Sequence, residues 1–149
     1  MIETWKIAGG ILEYIDETHT YIYDGVILPS ITQMLKSKFG NKYNGVDKRV
    51  LKRAADKGTE VHKSIENYEK KNIDNPECIE LRNYKFLKKQ FGFKCRDNEV
   101  PIVLFFDGKP VSAGRIDLIL EYEGKVGIAD IKRTSVFDKE YVAFQTNLY

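Results

Sequence analysis

Short apolar runs rich in β-branched and aromatic residues come first: Ile11-Leu12-Glu13-Tyr14-Ile15 and Thr20-Tyr21-Ile22-Tyr23, then Asp24-Gly25 before Val26-Ile27-Leu28. Runs this short, broken by Asp-Gly, predict an N-terminal β-hairpin over residues 11–28. The period then lengthens. Ser30 with Gln33 three residues on is a capping box, and it predicts a helix leading into Met34-Leu35. Residues 41–45 read as a loop, and Asp47 opens a basic helix to about Asp56. Over 58–69, Val61, Ile65 and Tyr68 form an apolar stripe at helical spacing, and His62, Glu66 and Glu69 share the adjoining stripe. Gly58 before that stripe would permit a tight entry or a close backbone approach. Asn75 as N-cap, Pro76 in the first turn and Gly92 at the end predict a helix over 76–91, with Tyr84, Leu87 and Phe91 inward.

Period two takes over after Gly92. Residues 100–106 and 111–122 read as strands joined by Asp107-Gly108. Glu123-Gly124 then leads into a third strand, Lys125-Val126-Gly127-Ile128-Ala129-Asp130-Ile131-Lys132-Arg133-Thr134. An amphipathic pattern from about Asp138 to Tyr149 closes the chain with a helix that has no C-cap before Tyr149, so the domain is expected to be C-terminally incomplete. The order is a hairpin, three helices, a three-stranded meander and a helix. It predicts an α/β fold, one domain over residues 1–149, with a central mixed β-sheet flanked by helices.

Composition narrows the class. The 149 residues are 42% hydrophobic and 31% charged, so the chain is globular. The net charge of +2 says little, but Lys36, Lys38, Lys42, Lys48, Arg49, Lys52, Arg53 and Lys57 crowd one span against Asp47 and Asp56 alone. That cluster reads either as a phosphate-facing surface or as a solvated helix face. Cys78 and Cys95 lack CxxC spacing, which leaves a disulfide framework, a zinc ribbon and a four-cysteine iron–sulfur site unsupported. Neither a signal peptide nor an apolar run of membrane length is present, so the chain is expected to be intracellular.

The charged positions of the meander carry the chemistry. Alternation puts Ile128, Asp130 and Lys132 on one face, and Arg115, Asp117 and Ile119 on one face of the preceding strand. An acid and a base inside an apolar run are costly unless paired or used. The Glu123-Gly124 turn brings the two strands together antiparallel, where cross-strand neighbours approach within roughly 5 Å. Asp117 and Asp130 are therefore candidates to share a cation. Two carboxylates and few other ligands suit Mg²⁺ or Mn²⁺, and a lysine beside the ion can hold a water lined up on phosphorus. The alternative is a structural Asp–Lys pair at a strand end. For His62, alone, the alternative is a boundary histidine.

Gly114-Arg115-Ile116-Asp117, followed after a turn by Asp130-Ile131-Lys132, resembles the PD-(D/E)xK nuclease superfamily. Gly58-Thr59-Glu60-Val61-His62 is similar to the upstream histidine motif of its RecB-like branch, and Gln145-Thr146-Asn147-Leu148-Tyr149 to that branch's Gln-x-x-x-Tyr motif. The hairpin with residues 28–32 is similar to the N-terminal part of phage and prophage exonucleases. The resemblance implies a restriction-endonuclease-like core, with His62, Asp117, Asp130 and the Ile131 carbonyl as metal ligands and Lys132 as the catalytic lysine. Gln145 and Tyr149 would line the site and touch the nucleic acid or the lysine. Glu99 is either the acid that many members carry before that strand or a solvated strand-end residue. Glu66 is either a support for His62 or a helix-surface acid, with the surface favoured. Arg115 and Ser112 are either phosphate contacts or exposed strand positions. The four cysteines of the iron–sulfur members are missing.

Two functions follow as expectations. One is a Mg²⁺- or Mn²⁺-dependent DNase, an exonuclease or end-processing enzyme of recombination or repair, acting on DNA alone, as a homo-oligomer or with a recombination partner protein. The other is a non-catalytic nucleic-acid-binding or assembly module that keeps the nuclease fold.

Overall fold

The computed structural model describes residues 1–40, 43–134 and 137–149. Asn41 and Lys42, the start of the expected loop and one member of the basic cluster, lie outside them. Among the described residues the chain is α/β, with four α-helices and two sheets. It divides into two compact units, Met1–Lys42 with Pro101–Ile116 and Asp138–Tyr149, and Tyr43–Val100 with Asp117–Phe137.

The first unit opens with an antiparallel meander of β1 (Ile2–Ile7), β2 (Gly10–Ile15), β3 (Thr20–Tyr23) and β4 (Val26–Leu28), in that order. The expected hairpin is thus three of its four strands. The missed strand, β1, turns into β2 at Ala8-Gly9, where both residues take positive φ (49° and 84°). That is the type I′ requirement, met by an alanine in place of the usual Asn or Asp. Alternate side chains from β1 to β4 build a core of Leu12, Tyr21, Tyr23, Leu28 and Ala113, edged by Trp5, Ile7, Tyr14 and Val103. Helix α1 (Ile31–Phe39) starts at the predicted box: the Gln33 amide donates to Ser30 Oγ at 3.1 Å and the Ser30 amide to Gln33 Oε1 at 2.8 Å. Helix α4 (Lys139–Leu148) starts at Asp138, whose carboxylate accepts from the Tyr141 amide. Phe39 packs on Tyr141 and Phe144.

In the second unit a single long helix, α2 (Lys48–Lys71), replaces the two expected segments and runs straight through Gly58. Gly58 therefore enters no helix, and a Cβ on it would meet nothing within 4 Å, so no close approach among the described residues needs it either. Helix α3 (Ile79–Phe91) starts three residues later than the sequence suggests and stops at Gly92 in the left-handed region. Val61 and Ile65 of α2 close on Cys78, Leu81, Tyr84 and Leu118, with Ala129 and Ile131 packed alongside. Both cysteines are free thiols.

The second sheet has the order β5 (Lys94–Phe106), β6 (Lys109–Tyr122), β7 (Lys125–Ala129). Its turns fall at Asp107-Gly108 and Glu123-Gly124, all four residues with positive φ. The expected mixed sheet does not form among the described residues. Both sheets are antiparallel, because their strands follow one another through tight turns that leave no room for a crossover helix. Among the described residues the parallel pairing is one isolated bridge, Ser30 to Ala113. Strand β7 also stops early: regular pairing ends at Leu118 opposite Ala129, and residues 130–134 continue as irregular chain. Among the described residues no helix is long and apolar enough to cross a membrane.

Candidate metal centre

Three elements of the second unit converge on one cluster. Helix α2 supplies His62. With Val61 and Ile65 committed to the core, the imidazole one position round the helix sits at the boundary, 32% exposed. Strand β6 supplies Asp117 from the face opposite the buried Ile116 and Leu118. Strand β5 supplies Glu99 at a residue of unusual backbone conformation. Glu99 lies inside the strand at φ 50°, a left-handed conformation that costs a non-glycine residue about 1 kcal/mol. Asn98 beside it is buried.

The distances are short. His62 Nδ1 lies 3.3 Å from Glu99 Oε1 and 3.6 Å from Asp117 Oδ1. One ligand atom from each of His62, Glu99 and Asp117 falls within 4.8 Å of the others. Asp117 Oδ2 accepts the Ile131 amide at 2.7 Å, which fixes the carboxylate and ties the chain leaving β7 to β6. Asp130, one step past the last paired residue, is 2% exposed at its side chain, and its Oδ2 holds the Lys132 ammonium at 2.8 Å.

The electrostatics follow from crowding. Burial pushes Asp117 up to about 6. Asp130 and Glu99 push the same way, while His62 and the Ile131 amide pull against them. Burial alone would depress His62, but the Glu99 bond and the charges of Asp117, Glu99 and Asp130 outweigh it and raise the imidazole above its ordinary value. Two carboxylates about 4 Å apart repel by roughly 4 kcal/mol at an effective dielectric of ~20. The cluster therefore has to share protons or hold a cation. One imidazole nitrogen and carboxylate oxygens, with room left for water, are a donor set that accepts a divalent ion.

The predicted residues separate between the two units. His62, Asp117, Asp130, Ile131 and Lys132 lie together in the second, and Glu99 joins them as a member of the cluster rather than a solvated strand end. Asp130 is outside the tight trio but close enough to act on both His62 and Asp117. Ile131 meets Asp117 through its amide. Glu66 goes to Lys63 and Lys70 at 2.8 and 3.4 Å, a surface role. Glu69, on the same stripe, accepts from Tyr84 Oη and Lys88 Nζ.

Ser112, Arg115, Gln145 and Tyr149 belong to the first unit. Ser112 is wholly buried and donates to the Pro29 carbonyl at 2.8 Å, which occupies the hydroxyl that was a candidate phosphate donor. The Arg115 guanidinium sits over Trp5 and Tyr14, 4.9 and 4.6 Å from the ring centroids, and 2.9 Å from Glu3. That cage gives the side chain a packing role in place of the exposed strand position. Gln145 is buried on α4 and donates to Tyr149 Oη at 2.9 Å, while its own Oε1 finds no partner among the described residues.

Set against family models, curated proteins and solved structures, the chain has no match in any of the three.

Proposed function

We propose that this chain is a Mg²⁺- or Mn²⁺-dependent deoxyribonuclease of the RecB-like PD-(D/E)xK type, acting as an exonuclease or end-processing enzyme. The observation that carries the reading is the convergence of His62, Glu99 and Asp117 from three separate elements, with the Asp130–Lys132 pair alongside. A structural ion pair needs neither a third carboxylate nor a strained backbone at Glu99. The imidazole in the donor set favours Mn²⁺ over Mg²⁺ as the better-held ion.

Asp117, Glu99 and His62 would hold the ion, Asp117 oriented by the Ile131 amide. The ion would neutralise charge on the scissile phosphate and lower the pKa of a bound water. Lys132, aimed by the buried Asp130 carboxylate, would hold the attacking water or meet the phosphate oxygen as charge builds on it. The exposed cations Lys48, Arg49, Lys52 and Arg53 on the first turns of α2 would follow the DNA backbone.

A time course on end-labelled linear DNA and closed circular DNA, with Mg²⁺, Mn²⁺ or EDTA, tests the reading. Cleavage of linear DNA that needs the metal, and is lost in folded Asp117→Ala and Lys132→Ala proteins, is the expected outcome. Full cleavage by either variant, or none by the wild type, rules it out.

A further inference from the structure

Beside the cluster, within the second unit, lies a cavity of about 250 Å³ between α2, α3 and the chain that leaves β7. Its floor is apolar: Ile65 is 3% exposed, and Tyr84 is 8% exposed with its hydroxyl tied back to Glu69 at 2.7 Å. The Tyr84 ring is therefore held fixed, braced on Phe93 with centroids 5.7 Å apart. Leu87 and Asn83, both exposed on α3, form the open side. Lys132 lines the cavity too, and it is the same side chain that reaches the Asp130 carboxylate. Arg133 stands at the rim, its Nε donating to Glu80 at 2.8 Å, which commits one of the five guanidinium donors and leaves a fixed cation there.

We infer, resting on the nuclease reading of the adjoining cluster, that this cavity receives one unstacked nucleobase of the DNA strand, from a nucleotide next to the scissile phosphate. Three features match such an occupant. The floor offers aliphatic side chains and the small exposed part of the immobile Tyr84 ring, an apolar surface against which any base packs. Asn83 presents a donor and an acceptor at the open side, the groups that read a base edge. The cations at the rim, Lys132 and Arg133, are each held by a carboxylate, Asp130 and Glu80, so a base seated inside would leave its own phosphate beside the remaining Arg133 N–H donors and beside the metal ligands. Extruding a base costs least at a frayed strand end, and the cavity thereby favours ends over duplex interior.

Linear duplexes carrying 2-aminopurine, or an abasic site, at each of the terminal positions in turn test this with the wild-type protein. In Ca²⁺, 2-aminopurine fluorescence should rise on binding at one position. In Mn²⁺, an abasic site at that same position should slow cleavage roughly tenfold. Leu87→Trp, a change at the exposed mouth, should abolish the fluorescence rise. Asn83→Ala should weaken the discrimination without removing cleavage. Metal-dependent cleavage that is indifferent to abasic sites at every position overturns the base cavity and leaves the nuclease standing. A fluorescence rise blocked by Leu87→Trp, in a protein with no cleavage in any metal, upholds the cavity and removes the nuclease. The absence of both overturns both.

Discussion

Lys132 Nζ lies 2.8 Å from Asp130 Oδ2, and the Asp130 side chain is 2% exposed while that of Lys132 is 30% exposed. The pair is thus a buried anion held by a cation that water still reaches. Removing one partner of a fully buried pair costs about 3–5 kcal/mol. Partial exposure of the lysine reduces that, so Lys132→Ala should lose about 1–3 kcal/mol in a denaturant melt. The proposed cleavage should fall by at least about 100-fold. Adding Asp130→Asn removes the stranded charge and should restore most of the stability but none of the activity. A Lys132→Ala protein that is destabilised yet cleaves at the wild-type rate would reduce the pair to a structural one.

The pH response of the metal-free protein and of metal binding should run in opposite directions. Asp117 is raised to about 6 by burial first, then by its carboxylate neighbours, and His62 is raised by the same neighbours against its own burial. A group whose folded pKa lies above its unfolded value lends stability at low pH and loses it as pH climbs through the folded value. The metal-free protein should therefore lose stability from about pH 4 to about pH 6 through Asp117, and again as pH climbs from about 6.5 through the raised His62 value, and Asp117→Asn should flatten the first of these slopes. A cation has to displace both protons, so its affinity rises over the same range, by at least about tenfold from pH 5 to pH 7. Melts with Mn²⁺ and with EDTA across this range measure both. An Mn²⁺ increment equal at pH 5 and pH 8 would dissociate the ion from Asp117 and His62.

What the sequence made legible was local. Asp-Gly and Glu-Gly turns, the Ser30–Gln33 box and the Gly92 stop were each encoded within four residues, and the structure has all of them. What it hid was long-range or conformational. Strand β1 escaped because Ala8-Gly9 turns without an Asn or Asp. Its loss also hid the fate of Arg115, whose partners Glu3 and Trp5 both stand on β1. Ser112 was misread because its acceptor, the Pro29 carbonyl, is 83 residues away in sequence. In the candidate site, Asp117 does stand on the expected strand, whereas Asp130 and Lys132 were read as alternating positions of a strand that stops at Ala129, and they meet instead as an ion pair in the irregular chain beyond it. Glu99 remained undecided because its partner His62 lies 37 residues away in sequence and its left-handed φ is not announced by residues 97–101.

Gly58 offers a test free of the metal. It sits inside α2, and an added Cβ would meet no atom within 4 Å. Glycine inside a helix costs about 0.5–1 kcal/mol relative to alanine. Gly58→Ala should therefore stabilise the protein by about that amount, seen as a melting temperature higher by ~1–4 °C. If nothing approaches the helix where the Cβ is missing, DNA binding and cleavage stay unchanged. Weaker DNA binding in the stabilised variant would instead mark this turn of α2 as a place where the nucleic-acid backbone comes close.

Glu99 separates function from backbone cost most cleanly. Its φ of 50° penalises every residue with a Cβ, while its carboxylate lies 3.3 Å from His62 Nδ1. Glu99→Ala removes the carboxylate and keeps the strain; Glu99→Gly removes both. Glycine should therefore be the more stable of the two variants by about 1 kcal/mol, a difference that the greater flexibility of its unfolded chain partly offsets. Both should bind Mn²⁺ at least about tenfold more weakly than the wild type, since even partners one step removed from a metal are worth that much. Equal stability of the two variants would mean that the backbone there is unstrained. Undiminished Mn²⁺ affinity in both would take Glu99 out of the donor set and leave His62 and Asp117 to hold the ion with water.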